Sequence, residues 1–373
     1  MALILIFSTI LLVLLLRPFI ENYVTARKIG LPILITPLGL LNPVWQLGEA
    51  YITPVLKSLP FGLGRFVEYS SLVSLFHDRY YRHVRLGHAY TVVSPTEVIV
   101  VIDDAACCED ILTRRKDFIK SELMYKVLEI FGPSVDTVNG EDWQRHRRLT
   151  APPFNEKNSN IVWKETLNQA DGMVKSWMRD GGVVTSTEAD TMTLTLHVLT
   201  AAGFGKTYPF DGGLSKPADG YSYTYKEALQ VVLRDIFLSF VLVNISLPSM
   251  ILPKRALEVK HALIEFKQYM VEMVESERRD VGRTELQDNL MSVLVRSAEQ
   301  NKFGKGRGAM TDHEIFGNLF IFNMAGYDTT SGVIAHSIIM LAANPTWQKV
   351  FHSNIFSVCS VNKKAPFFPQ TQL

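Results

Sequence analysis

The stretch from Asp312 to Ala342 constrains the fold of this chain more than any other. Thr311 stands where it can cap a first helical turn, and Asp312 and Glu314 suit the positive end of a helix dipole. Asn344-Pro345 supplies the stop, because the residue before a proline avoids the helical region. Between these signals the pattern predicts one long helix that is apolar on nearly every side. Such a helix belongs in a core or a membrane, not on a surface.

Its middle breaks that rule. Asp328, Thr329 and Thr330 follow Ala325-Gly326 inside the apolar run. A buried carboxylate without a partner is costly, or takes up a proton, so its presence calls for a reason. Gly326 removes side-chain bulk and lets a ligand approach the backbone. Thr329 is placed to bond back to the Ala325 carbonyl and bend the helix. A small residue, an acid and a hydroxyl at one opened turn point to proton delivery to a bound ligand. The alternative is a structural helix with a satisfied Thr/Asp network.

Ala325-Gly326-Tyr327-Asp328-Thr329-Thr330 resembles the oxygen-activation motif of the cytochrome P-450 monooxygenases, Ala/Gly-Gly-x-Asp/Glu-Thr-Thr/Ser. The resemblance implies a central helix crossing a heme. Asp328 would relay protons, Thr329 would hold the bound oxygen, and Ala325 and Gly326 would line the cofactor. A second stretch supports it. Trp143 and Arg147 are four residues apart and share one helix face. An indole donor beside a guanidinium makes a clamp for a carboxylate. The pair resembles the family's Trp-x-x-x-Arg motif, which implies that both bind a heme propionate. His146 faces elsewhere on that helix and receives no role. Taken alone, the same residues also read as a solvated basic patch over a packed tryptophan. Arg114-Arg115-Lys116-Asp117-Phe118 and Ala151-Pro152-Pro153-Phe154 resemble flanking text of fungal members.

With 373 residues, 47% of them hydrophobic, the chain has enough apolar material for a large core. A formal net charge of +1 and the lack of long like-charge runs argue against nucleic acid as a partner. Three cysteines, Cys107, Cys108 and Cys359, form neither a disulfide framework nor a zinc spacing.

Residues 1–20 read as an N-terminal membrane anchor. Met1 to Leu16 are almost wholly apolar, and Arg17, Arg27 and Lys28 follow, which places the downstream body in the cytosol. The start lacks the positive residues and small-residue cleavage site of a signal peptide. The resemblance adds an endoplasmic reticulum membrane. Residues 21–60 read as a stiff, extended proline-rich hinge.

Residues 61–350 read as the body. The pattern predicts helices over 72–85, 161–178, 190–202, 227–243, 255–280 and 285–300, and a hairpin of strands 90–93 and 97–102. Asp103 is the expected cap of a helix running to Thr113. Residues 208–225 and 301–308 read as loops. The apolar region 227–252 resembles the family's substrate roof, which dips into the bilayer; a second span there is opposed by its prolines and by Arg234 and Asp235.

After Val350 the resemblance stops. The family continues with a Glu-x-x-Arg helix, strands and a Phe-x-x-Gly-x-Arg-x-Cys-x-Gly loop whose thiolate binds heme iron. Cys359 lacks those neighbours, so no metal ligand is assigned. Residues 351–373 read as an unrelated tail from a frameshift or intron read-through. The expected fold is mainly α with a small β-sheet, a cytochrome P-450 fold of fungal microsomal type lacking its C-terminal heme-ligand part. The expected function is heme-dependent oxygen insertion into a small apolar substrate, with molecular oxygen and an NADPH-dependent reductase as partners. The alternatives are a non-catalytic membrane-anchored helical remnant and a small transporter-like membrane protein.

Overall fold

The computed structural model describes the backbone of residues 2–71, 73–179, 181–213, 216–245, 247–280, 289–302 and 309–361. In chain order these form α1 (Ala2–Ile29), β1 (Ile33–Ile35), α2 (Pro43–Lys57), α3 (Val67–Ser70), α4 (Ser74–Asp78), α5 (Tyr81–Leu86), β2 (Ala89–Val93), β3 (Val98–Ile102), α6 (Ala105–Thr113) and α7 (Glu122–Lys126). There follow α8 (Gly140–Thr150), α9 (Glu156–Arg179), α10 (Thr187–Phe204), α11 (Tyr225–Arg234), α12 (Ile236–Asn244), α13 (Lys254–Asp280), α14 (Leu290–Lys302), α15 (Asp312–Ala343) and α16 (Pro345–Val361). The fold is mainly helical with a small sheet. Two units emerge, one of residues 1–130, 137–140 and 235–256, the other of residues 131–136, 141–234 and 257–373.

The first unit is built on the sheet, in the order β1-β2-β3. β2 and β3 pair antiparallel, Thr91 facing Val100, as the alternating pattern and the Ser94-Pro95-Thr96 turn require. β1 lies parallel to β2, Leu34 opposite Val92, in a stretch where the sequence pattern indicates only a hinge. That stretch also forms α2, with Pro54 inside the helix, so the expected extended connection is corrected to ordered structure. Trp45 of α2 is buried and donates its Nε1–H to the Ser70 carbonyl at 2.8 Å. The helix expected over 72–85 is interrupted at Arg79, whose φ of 55° no continuous helix allows. The cap of α6 is Asp104, which accepts from the Cys107 N–H at 2.8 Å, while Asp103 binds His88 at 2.9 Å. The apolar helix expected over 227–243 breaks at Asp235, which is buried and receives the Arg255 Nε–H at 2.7 Å.

The apolar run at the start of α1 lies, through position 15, outside the residues whose side chains are described, as do residues 303–308 and 362–373. Among the described residues no helix is long and apolar enough to cross a membrane.

In the second unit α10 packs on α9 and α15. Phe131, Tyr225, Phe266 and Phe320 form an aromatic core, with Phe131 and Phe320 centroids 5.1 Å apart. Beside it, buried His197 of α10 meets Gln169 Oε1 of α9 at 3.0 Å. Gln169 spends its Nε2 hydrogens on Glu165 Oε1 and the Tyr208 carbonyl, both at 2.7 Å, so His197 Nδ1 is the donor. Burial, and then the Lys226 charge, lowers the His197 pKa to about 4. The unfolded chain therefore takes up its proton first as pH falls. Stability is full above about pH 6.5 and is lost through about pH 4, and about 2 kcal/mol should go between pH 7 and 5. Chemical denaturation at the two pH values checks this, and His197→Gln should remove the difference.

Candidate functional site

The central helix forms as its end signals require. Thr311 Oγ1 accepts the Glu314 N–H, and Glu314 Oε2 accepts the Thr311 N–H at 2.8 Å, a complete capping box. Asn344 ends it, at the expected Asn344-Pro345 stop. From Ile315 to Tyr327 its buried face fills the core. Asn323 bonds the Leu319 carbonyl and accepts the Tyr225 hydroxyl at 2.7 Å. Gly317 lies so close to residues 132–133 that a Cβ there would stand 2.3 Å from two backbone oxygens.

The polar break is not buried. Asp328, Thr329 and Thr330 are exposed, which corrects the expectation of a carboxylate inside the core. An apolar run gives burial only where neighbours pack, and beyond Tyr327 the helix also exposes Val333, Ile339 and Met340. Asp328 thus stands at the surface, in no ion pair among the described residues. Thr329 Oγ1 donates to the Ala325 carbonyl at 2.7 Å, so its oxygen faces outward as an acceptor. It can donate to a ligand only by releasing that carbonyl. Ala325 is exposed. Gly326 gives close approach to a helix, since a Cβ there would meet Leu199 Cδ1 of α10 at 3.2 Å. Ala325, Gly326 and Thr330 line an apolar groove of about 670 Å³ together with Phe154, Leu199 and Phe322.

On α8, Trp143 and Arg147 share a face, with the guanidinium carbon 5.5 Å from the indole centroid. That is cation–π range. Arg147 is exposed and has no carboxylate partner among the described residues, so its N–H fork is open to an anion. The opposite face of α8 is locked to α15. Arg145 reaches Glu314 Oε1 at 2.5 Å, and fully buried His146 reaches the same oxygen at 3.2 Å. Asn318 Oδ1 accepts the Val135 N–H at 3.0 Å, so its Nδ2 donates to His146 Nδ1 at 3.0 Å. The imidazole hydrogen therefore sits on Nε2 and points to Glu314. Burial alone would raise the Glu314 pKa. Arg145, the Thr311 N–H and His146 outweigh it and hold the carboxyl at about 2.

The structure thus groups Ala325, Gly326, Asp328 and Thr329 on adjoining turns and groups Trp143 with Arg147 on another helix. The α8 lock meets α15 at Glu314, roughly 22 Å along the helix axis from Thr329. Sequence reasoning missed Arg145, His146 and Asn318. Glu314 stood out only as a dipole partner, and nothing local ties it to residues so far back in the chain. Cys107 is engaged elsewhere. The Cys107 thiol binds Asp104, which pushes its pKa up and keeps it a thiol, and the Cys359 side chain lies outside the described residues.

A family model described as Cytochrome P450 matches residues 57–371. The chain is 32% identical over 334 residues to the cytochrome P450 monooxygenase ORF6 of Penicillium roqueforti. It is 31% identical over 334 residues to the cytochrome P450 monooxygenase prx9 of Penicillium rubens. Each alignment covers 85% of this chain and 57% of the relative, so the chain spans little more than half the length of these relatives. The crystal structure of the cytochrome P450DA heme domain superposes with a TM-score of 0.55 at 17% identity, over 73% of this chain and 56% of that one.

Proposed function

Since the chain belongs to the cytochrome P450 family, whose cofactor is heme, we propose that it serves a heme-dependent monooxygenase acting on a small apolar substrate. The observation that carries this reading is the exposed Arg147 guanidinium stacked over Trp143, on a helix held by Arg145 and His146 against the helix that bears Asp328 and Thr329. The clamp fits the group. A propionate needs a planar donor fork free of other carboxylates, and Arg147 has one. No iron-binding thiolate is assigned to Cys107, whose thiol bonds Asp104.

Bound heme supplies the oxygen chemistry. This chain's own residues bind and protonate. Trp143 and Arg147 grip the propionate. Asp328, exposed on the helix, would take protons from solvent. Thr329 passes one on when its hydroxyl leaves the Ala325 carbonyl. Ala325 and Gly326 keep side-chain bulk away from the cofactor. Electrons come from an NADPH-dependent reductase.

Thr329→Ala in the heme-loaded protein with its reductase is therefore expected to lower product formed per oxygen consumed several-fold, with hydrogen peroxide rising. Unchanged coupling removes Thr329 from this role.

We place the protein in the endoplasmic reticulum membrane on a single N-terminal anchor, its body cytosolic. Supporting this are the apolar run before Arg17 and a set of bare apolar side chains in the first unit, with Phe61 99% and Met250 93% exposed. Protease protection on microsomes tests it, and more than one protected span defeats it.

A further inference from the structure

A cavity of about 310 Å³ in the second unit lies between α10, α11 and the turn of residues 210–213. Half-buried Lys226 of α11 lines it and is anchored at two points. Its Nζ donates to the Ala189 carbonyl at 3.1 Å and to Thr193 Oγ1 at 2.7 Å. Thr193 gives its own hydrogen to that carbonyl at 2.9 Å, so it can only accept from Lys226. Neither partner is charged.

The carboxylates nearby are engaged elsewhere. Glu227, also in the wall, accepts the Thr224 N–H at 2.8 Å, and Asp190 accepts the Trp177 indole N–H at 2.7 Å. Lys226 forms no ion pair among the described residues. Phe210 and the buried, neutral His197 complete a wall that replaces little of the hydration an ammonium loses. An ammonium partly out of water and without a counter-ion is disfavoured against the free amine. Burial accordingly pushes Lys226 below the ordinary lysine range, outweighing the charges of Asp190 and Glu227. The amine has two N–H groups, enough to keep both anchors. Its lone pair then takes the remaining position on Nζ, turned away from both.

We propose that Lys226 is a covalent modification site for small uncharged aldehydes, which enter this cavity and are attacked there by the amine. The Nζ lone pair forms a bond to the carbonyl carbon, and the π pair moves to oxygen, which takes up a proton lost by nitrogen. With one further proton from solvent that hydroxyl leaves as water. The product is a protonated imine, with one N–H left for Thr193 or Ala189, and nothing is oxidised or reduced. The inference goes beyond the monooxygenase reading and needs neither heme nor oxygen, so either can fail without the other.

Reductive trapping tests it. The full 373-residue chain is treated at neutral pH with propionaldehyde and cyanoborohydride, which reduces the imine to a stable propyl-lysine. Peptide mass spectrometry then follows the propyl group at every lysine. Lys226 should be propylated several-fold faster than any other lysine of the folded chain, and its lead should vanish in urea, where the cavity is gone. Lys226→Arg should remove the fast phase alone, and the wild-type comparison decides the matter even if that variant does not fold. A Lys226 no faster than the other lysines, or equally far ahead in urea, overturns the proposal.

Discussion

Replacing Glu314 with Ala should lower the stability of the second unit by about 3 kcal/mol or more, the largest effect expected of any single polar change here. The carboxylate has four partners. Oε1 takes Arg145 and His146, and Oε2 takes the N–H and hydroxyl of Thr311. Removing it uncaps α15, which alone costs about 1 kcal/mol. It also strands a fully buried imidazole and a guanidinium that is only 20% exposed. Glu314→Gln keeps one acceptor oxygen, which can serve the cap or the lock but not both, and should cost less. The pH dependence has a fixed sign. Because the folded pKa is depressed to about 2, this contribution is full above the ordinary glutamate range of about 4.3 and is lost as pH falls through about 2. Urea denaturation of wild type, Glu314→Ala and Glu314→Gln at neutral pH checks the ranking. Equal stabilities would mean that the lock contributes nothing.

Gly317→Ala should be comparably damaging for a steric reason. The new Cβ would stand 2.3 Å from the Gly132 and Pro133 carbonyl oxygens. Both are backbone atoms and cannot swing away, so α15 must shift off residues 132–133 and carry Asn318 from Val135. Overpacking of this kind costs about 1–3 kcal/mol where side chains yield, and more where backbone must move. Gly332→Ala on the same helix is the control. Nothing lies within 4 Å of a Cβ there, and alanine should stabilise the helix by up to about 1 kcal/mol. Opposite signs at two glycines of one helix, read from thermal melts, separate packing from propensity. A Gly317→Ala protein as stable as wild type would contradict the close approach.

The parts of the fold set by local chemistry were legible. Thr311, Glu314 and Asn344 define α15 because caps act within one turn. Trp143 and Arg147 share a face because helical spacing alone decides it. The parts set by distant neighbours were not. Whether Asp328 is buried depends on which helices reach Tyr327, and hydropathy along α15 carries no such information. The His146 lock joins residues 168 positions apart. The break at Asp235 goes with a tertiary contact, from Arg255, that overrides an otherwise helical pattern. Pro54 inside α2 shows the converse, a strong local breaker tolerated late in a packed helix.

The most direct test of the central claim, that Trp143 and Arg147 form a clamp for a heme propionate, is a hemin titration of the full chain followed by its Soret band. Wild type, Arg147→Ala and the neighbouring charge control Arg148→Ala are compared. The expected result is saturable one-to-one binding, weakened about tenfold or more by Arg147→Ala and unaltered by Arg148→Ala, the difference one charge-assisted bidentate contact makes. Equal affinity for wild type and Arg147→Ala would contradict the clamp.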